Sequence, residues 1–501
     1  MFEAMWQGLL PILNPGVLLM IFLMAIYGLI IGILPGIGML VAMAILLPWI
    51  FTLPMKQALI ALCCVGGAGG LAGSITAILI NIPGENFSVA TLLDGYPMTK
   101  KGQGGRAIGA AAMGSSLSYY VSVLLAFAVL PLFIVVVKVM GTGEMCAMVL
   151  VGIAFVGVLG ARGGHLKGII SGVLGFMLAF VGFQPNTGLA RFTFGSSYLF
   201  GGLAFVTVIL ALFGTPSIIE IGMKGSIVEA GQEMPKMRGM LSQMWQGCVD
   251  VLRHFWLWLT CMLIGFVVGV VPAAGSGTAI WIAYGQAAKT SKHPELFGTG
   301  MVEGVMAPES ARGAVHAGAL LTTLCFGIPG SAGMVIVLGA IIVMGIIPGP
   351  LMVTEHLDLI FMMFLAGAIS HSIGLIQLAF CLRPMLGLVY LKADYLVPSI
   401  ASLVVVGAFA ATGNVAEIAV LAVISVLAYF MRKYGYAPAA FALAYILGVL
   451  FERNFFLSLT VYGWRFLLRP IVLVLLLLAI YVSASSQLTA GARKIFKLVR
   501  G

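Results

Sequence analysis

The chain has 501 residues, 61% of them hydrophobic and only 8% charged, with a formal net charge of +10. An ordinary soluble domain is about a quarter charged, so a soluble protein of this length could not cover its surface, and lipid must contact the apolar remainder. The basic residues are scattered among apolar runs without an aromatic-interleaved patch, which argues against a nucleic-acid surface and fits basic cytoplasmic loops.

At about 20 residues per span, the expected fold is an all-α polytopic membrane protein with about 12 transmembrane helices plus broken or re-entrant hairpins. Met1 to Gly16 carries Glu3 instead of a basic start, so it does not read as a cleaved signal peptide. The first candidate span, 16–34, runs into Gly32-Ile-Leu-Pro35-Gly36-Ile-Gly38. The second, 57–82, ends on Ile80-Asn81-Ile82-Pro83-Gly84, followed by Glu85, Asn86 and Asp94. Further runs follow at 107–137, long enough for one tilted helix, and at 145–161, 165–183 and 198–214. Residues 215–254 are more polar, with balanced charges interrupted by Trp245, and read as an interfacial arm between a first repeat (1–214) and a second (255–485).

The second repeat opens with span 255–271 and Gly269-Val-Val-Pro272-Ala-Ala-Gly275-Ser276. A polar stretch, Lys289 to Arg312, precedes span 313–328 and Phe326-Gly327-Ile328-Pro329-Gly330-Ser331. Candidate spans continue at 333–347, 358–381, 397–412, 414–431, 436–451 and 467–485. Residues 486–501, with Arg493, Lys494, Lys497 and Arg500, read as a basic cytoplasmic tail. The seven cysteines show neither metal-ligand nor paired-loop spacing and read as small packing residues.

Pro35 and Pro272 are 272 − 35 = 237 apart, and Pro83 and Pro329 are 329 − 83 = 246 apart. The second half therefore carries nine extra residues between its motifs, with Lys289–Arg312 the obvious place. Between the motifs Lys56 is the first half's only basic residue, whereas the second has Lys289, Lys292 and Arg312. After the second motif the pattern reverses: Lys100, Lys101 and Arg106 in the first half, no Lys or Arg over Gly345–Asp358 in the second. With basic loops inside, corresponding loops face opposite sides, which predicts an inverted-topology repeat.

Proline removes an N–H and clashes with the preceding turn, and glycine admits left-handed backbone. A single break of this kind is an ordinary kink or packing position. Two per half at matching places point to a transporter's binding site. The half-helix after a break offers bare N–H groups to a carboxylate, and the one before it offers bare carbonyls to Na⁺. The expected substrate-binding set is Asn81, Gly84, Glu85, Asn86, Gly330 and Ser331, with Gly36, Gly38, Gly275 and Ser276 nearby. The ion-coupling candidates are Ser74, Thr76, Thr322, Thr323, Glu303 and Glu309, with Na⁺ at the helix breaks as the possible metal. Glu417 and Glu452 are intramembrane charges; Glu452 and Arg453 read as a local ion pair, and Arg191 as either an anion attractor or a loop anchor. No nucleotide, zinc or hydrolase motif is present. No cofactor is therefore expected beyond a coupling ion, Na⁺ or H⁺. The competing class is an intramembrane enzyme acting on a lipid-linked substrate, which wants a clustered acid/base or metal constellation.

Several stretches carry a resemblance: Gly32–Gly38, Ala77–Gly84, Asp94-Gly-Tyr-Pro97 with Lys101-Gly-Gln103, Pro185–Gly195, Lys292–Glu295, Gly300–Glu309, Gly327–Gly330 and Gly345–Pro350. In these, and in length and order, the chain resembles the large membrane subunit of the tripartite tricarboxylate transporters. It departs from them at Ala273-Ala274, where Gly is more usual, and at Ser310-Ala-Arg312, where small or amide residues are. The resemblance implies a non-enzymatic secondary carboxylate transporter of the bacterial inner membrane, driven by Na⁺ or H⁺. It also implies two partners, a small four-span membrane subunit and a periplasmic solute-binding protein.

Overall fold

In lipid every backbone N–H and C=O must be satisfied within the chain, so the apolar runs fold as helices and the Gly/Pro positions mark their ends. The computed structural model describes residues 1–160, 164–184, 187–225, 239–272 and 274–483. The basic tail, Ala273, Pro185 and the 226–238 part of the polar arm lie outside the described residues.

The first helices are α1 (Phe2–Leu9), α2 (Pro15–Gly32), α3 (Gly38–Ile50), α4 (Met55–Ile80), α5 (Val89–Lys100) and α6 (Gly104–Lys138). Then come α7 (Thr142–Gly160), α8 (His165–Ala179), the small hairpin β1 (Gly182–Phe183) and β2 (Ala190–Arg191), α9 (Phe205–Ile209) and α10 (Thr215–Lys224). The second half follows with α11 (Met240–Arg253), α12 (Phe255–Val270), α13 (Gly275–Thr290), α14 (Val302–Phe326), α15 (Ala332–Val343), α16 (Pro350–Glu355) and α17 (Leu357–Val389). It ends with α18 (Ala393–Thr412), α19 (Ala416–Lys433), α20 (Pro438–Tyr462) and a last apolar helix, Pro470–Ser483.

Among the described residues seven helices are long and apolar enough to cross a membrane, or eight if α11 and α12, bent by 82°, count as one broken span. The all-α polytopic architecture is as expected, but where about 12 spans were expected, seven or eight are of spanning length and five further apolar helices are shorter. Two short helices, α3 and α13, follow directly on the first break of each half and lie outside the candidate spans. The 107–137 run is one unbroken helix, α6. The 198–214 run becomes a helix only at Phe205 and continues through one π turn, Leu210–Gly214, to Lys224. The expected boundary at 214/215 therefore falls inside a helix.

The order α2, α3, α4, α5, α6 recurs as α12, α13, α14, α15, α17. Its packing recurs too. Small residues let transmembrane backbones approach closely. A Cβ on Gly28 or Gly32 of α2 would lie 2.9 Å from the Val65 carbonyl oxygen or 2.6 Å from that of Gly69 on α4. On α12, Gly265 meets Ala311 and Gly269 meets Val315 of α14 in the same way, at 2.2 and 2.7 Å. Both partner pairs are separated by the 246 residues that separate the second motifs (65 + 246 = 311; 69 + 246 = 315). The halves then interlock: α6 packs on α14, and α17 on α4. The additional residues of the second half fall mostly in loop 291–301, and the polar stretch is helical from Val302, so Glu303, Pro308, Glu309 and Arg312 all ride on α14.

Candidate functional site

Each half breaks in the same way. α4 ends on Asn81 at φ 62°, and α14 ends on Gly327 at φ 68°. These positions correspond (81 + 246 = 327), so Asn81 fills a left-handed cap that suits only glycine or asparagine well. The chain then doubles back on the helix it has left. The Gly84 N–H donates to the Gly73 carbonyl at 3.1 Å, and a Cβ on Gly84 would lie 2.6 Å from that oxygen. In the second half the Gly330 N–H reaches the Thr323 hydroxyl at 3.3 Å, and a Cβ there would lie 2.6 Å from Ala319 Cα. Gly73 and Ala319 also correspond (73 + 246 = 319).

The breaks meet crosswise: α13 packs against the single turn Asn86–Ser88, and α15 against α3. A Cβ on Gly333 would touch Met39 at 3.1 Å. Gly38, Gly84, Glu85, Gly330 and Ser331 are thus brought into one neighbourhood by elements from both halves. Gly36 is exposed and Gly38 buried, both at positive φ. Gly275, also at positive φ, has open space where a Cβ would be, and Ser276 beside it is half-buried.

The two short-helix starts differ in what they hold. Glu85 Oε1 accepts the Met39 N–H, one of the unpaired donors in the first turn of α3. Its Oε2 is buried without a partner among the described residues. Ser331 corresponds to Glu85 (85 + 246 = 331), and Ser276 to Met39 (39 + 237 = 276). In the second half a hydroxyl-bearing residue thus stands at the position that Glu85 holds in the first.

One step along α4, a second carboxylate is buried. Glu309 is 1% exposed and Arg312 7%. Glu309 Oε1 accepts from the hydroxyls of Ser74 and Thr91, and Arg312 Nε donates to Oε2 at 2.8 Å. An Arg312 terminal nitrogen donates to Ser115 Oγ at 2.9 Å, and the other lies where a side chain on Gly70 would go. The cluster ties α4, α5 and α6 to α14. One turn beyond Arg312, His316 joins Tyr119 and His371. The Tyr119 and His371 rings stack at 4.3 Å, and the two imidazoles are 6.0 Å apart. The histidines come from α14 and α17, so their sequence spacing shows nothing.

Other expected ion-coupling residues divide. Thr76 is wholly buried and its hydroxyl unpartnered. Thr322 donates to the Val270 carbonyl at 2.8 Å, and Thr323 to that of Ala319 at 2.6 Å. Glu303 stands apart from this neighbourhood, 3.3 Å from His254 at the α11–α12 corner. The Glu303 carboxylate lifts His254 above the ordinary histidine range. Asp94 is fully buried and engaged: Oδ1 takes the N–H groups of Gly298, Gly300 and Met301, and Oδ2 takes the Tyr284 hydroxyl. It secures the start of α14 from a distance.

One charged pairing differs from expectation. Glu452 pairs with Arg191, not with its neighbour Arg453, through two bonds of 2.6 and 2.8 Å. Adjacent helix residues point to different faces, so Glu452 meets the β hairpin's side chain, and Arg191 anchors that loop. Glu417 is buried against the hydroxyls of Thr207 and Thr412. Among the described residues no three His, Cys, Asp or Glu side chains gather as a metal site, and the cysteines are free thiols.

The family model described as the tripartite tricarboxylate transporter TctA family matches residues 18–443. The chain is 33% identical over 447 residues to an uncharacterized 52.8 kDa protein in the TAR-I ttuC' 3' region of Agrobacterium vitis, covering 88% of this chain and 87% of that one. It is 31% identical over 194 residues to an uncharacterized protein in the TAR-II ttuC' 3' region of the same organism, covering 38% of this chain and 78% of the relative. No solved structure matches.

Proposed function

This chain belongs to the tripartite tricarboxylate transporter TctA family, and from that membership we propose that it is the large membrane subunit of an ion-gradient-driven, binding-protein-dependent importer of organic carboxylates. It works by alternating access in the bacterial inner membrane, with its C-terminus in the cytoplasm. A small four-span subunit and a periplasmic solute-binding protein complete the assembly.

The observation that carries the carboxylate reading is the bond between Glu85 and the Met39 N–H. A helix start beside a break already receives a carboxylate from the chain itself, as bare N–H groups and the helix dipole favour. The equivalent start in the second half, Gly275-Ser276, has Ser331 at the position corresponding to Glu85 and so no carboxylate of its own there, and it is the place for a carboxylate of the substrate. Glu85 is thereby a poor candidate for direct contact with an anion and a better one for ion coupling. The buried carboxylates, guanidinium and imidazoles do form the cluster that an enzyme would want. Glu309 and Arg312 are nevertheless bonded to one another and to hydroxyls, which suits a compensated structural pair.

The test is uptake of a panel of di- and tricarboxylates into vesicles holding the whole transporter, with and without binding protein and ion gradient. Uphill accumulation that needs both is expected; equilibration without concentration would mean a channel. Asn81→Gly in the same assay removes the side chain and keeps the left-handed cap that the second half has as Gly327. If Asn81 lines the site, uptake falls while insertion is unchanged. Asn81→Ala is a poorer probe, because left-handed backbone costs it about 1–2 kcal/mol.

A further inference from the structure

We propose that the Glu85 carboxyl carries the coupling proton of this transporter, an assignment that rests on the transport reading above and deepens it. Glu85 is clasped between the start of α3 and the middle of α4. A Cβ on Gly38 would lie 3.0 Å from its Cγ, and one on Gly73 would lie 3.4 Å from Oε2. Oε1 is engaged by the Met39 N–H, and Oε2 is buried with no partner. Two hydroxyls beside this slot share that condition. Thr76, one turn along α4 from Gly73, is wholly buried, and Ser88, in the turn that follows Glu85, is 1% exposed; neither hydroxyl has a partner among the described residues.

The charged groups that act on Glu85 are Glu309 and Arg312, both from α14. Helix α3 contributes no ionisable side chain. On α13 the Tyr284 hydroxyl is given to Asp94, and Lys289 lies in the last turn, far from the break. On α4, Lys56 lies at the opposite end, paired with Asp358. Arg312 is already bonded to Glu309 and Ser115. Two buried carboxylates thus share one guanidinium, and among the described residues the surplus negative charge has no cation of its own.

A buried charge is neutralised or paired. A metal ion would need several oxygens around one point, whereas the carboxyl is flanked by two glycines at contact distance. A proton on Oε2 needs no such room. It removes the surplus charge from a carboxyl whose Oε2 has no hydrogen-bond partner among the described residues. The proton comes from water on one face and returns to water on the other when the break moves and the slot opens. No other bond forms or breaks. Glu309 already has its own partners in Arg312 and two hydroxyls.

Infrared titration of the purified full chain in lipid reads the proton directly. The expected result is a carbonyl stretch of a buried, protonated carboxylic acid, lost in Glu85→Gln and restored at a shifted frequency in Glu85→Asp. Absence of that band from the unsubstituted chain, or its persistence in Glu85→Gln, overturns the proposal. In vesicles with the whole transporter, a one-to-one proton symporter concentrates substrate about tenfold per unit of pH gradient. Glu85→Gln should lose that gain and still exchange substrate between equal pools. A Glu85→Gln protein that accumulates substrate like the parent, or one that inserts but neither accumulates nor exchanges, overturns the assignment. So does a parent protein that responds to a Na⁺ gradient alone. If the parent moves no carboxylate, the transport reading fails, and the infrared band still decides the proton site.

Discussion

Among single residues, Glu309 and Arg312 are the most consequential for stability. Each is more than nine-tenths buried and each satisfies the other. Removing one partner strands the other's charge, and breaking a buried pair costs about 3–5 kcal/mol. Arg312→Ala should therefore lower the unfolding midpoint in detergent sharply, while Glu309→Gln combined with Arg312→Met recovers most of the loss. A single variant as stable as the parent would mean that water or a neighbour already compensates the charge. This pair was only half legible from sequence. Glu309 stood out as a charge near an apolar run, but nothing local shows that Ser74, Thr91 and Ser115 converge on it from three other helices. Glu85 was legible as a residue beside a break. Its partner on α3 was not, because the contact joins positions far apart in the chain. Asn81 was noticed as a polar side chain, whereas its backbone at φ 62° gives it a role that the side chain alone does not reveal.

At the scale of elements, the Gly/Pro punctuation located both breaks, since proline and glycine act on the backbone they occupy. It did not locate α3, which continues the apolar run directly beyond the first break, or α13, which interleaves Ser276, Thr278, Tyr284 and Gln286 with its apolar residues. The folding back of each break onto its own helix leads to a prediction at Gly330. A methyl group there would meet Ala319 Cα at 2.6 Å and the Gly269 carbonyl oxygen at 2.7 Å. Overpacking of this kind costs about 1–3 kcal/mol. Gly330→Ala should lower thermal stability by that order and impair uptake, whereas Gly277→Ala, with nothing within 4 Å, should be tolerated in stability. The α11–α12 corner supplies a pH dependence. Glu303 raises His254 above its unfolded value, so the histidine's share of the stabilisation is full below about pH 6.5 and is lost as pH rises through the folded value. His254→Gln should be less stable than the parent in mildly acidic buffer, and the gap should close in alkaline buffer. A gap that widens with pH would reverse the assignment.

At the scale of the whole molecule, the two halves repeat one arrangement of helices and exchange contacts through α6 with α14 and α4 with α17. The sequence disclosed the repeat through its matched breaks and a switch in basic loops, but not the interlock, which depends on glycines meeting backbone across helices. The basic-loop switch carries the inverted-topology proposal: residues after the first half's second break are basic, and their counterparts are not. Lys100 at the end of α5 and Thr354 in α16 are both exposed, and they report on corresponding connections. If the halves are inverted, single cysteines at Lys100 and Thr354, each in a chain whose native cysteines are replaced, should react with an impermeant maleimide from opposite faces of oriented vesicles. Lys100 should lie on the cytoplasmic side, as its neighbours Lys101 and Arg106 require. Labelling of both from one face would make the halves parallel. The crossed contacts of their breaks would then have to bring the same face of each half to the site, and alternating access could not arise by exchanging the conformations of two inverted halves.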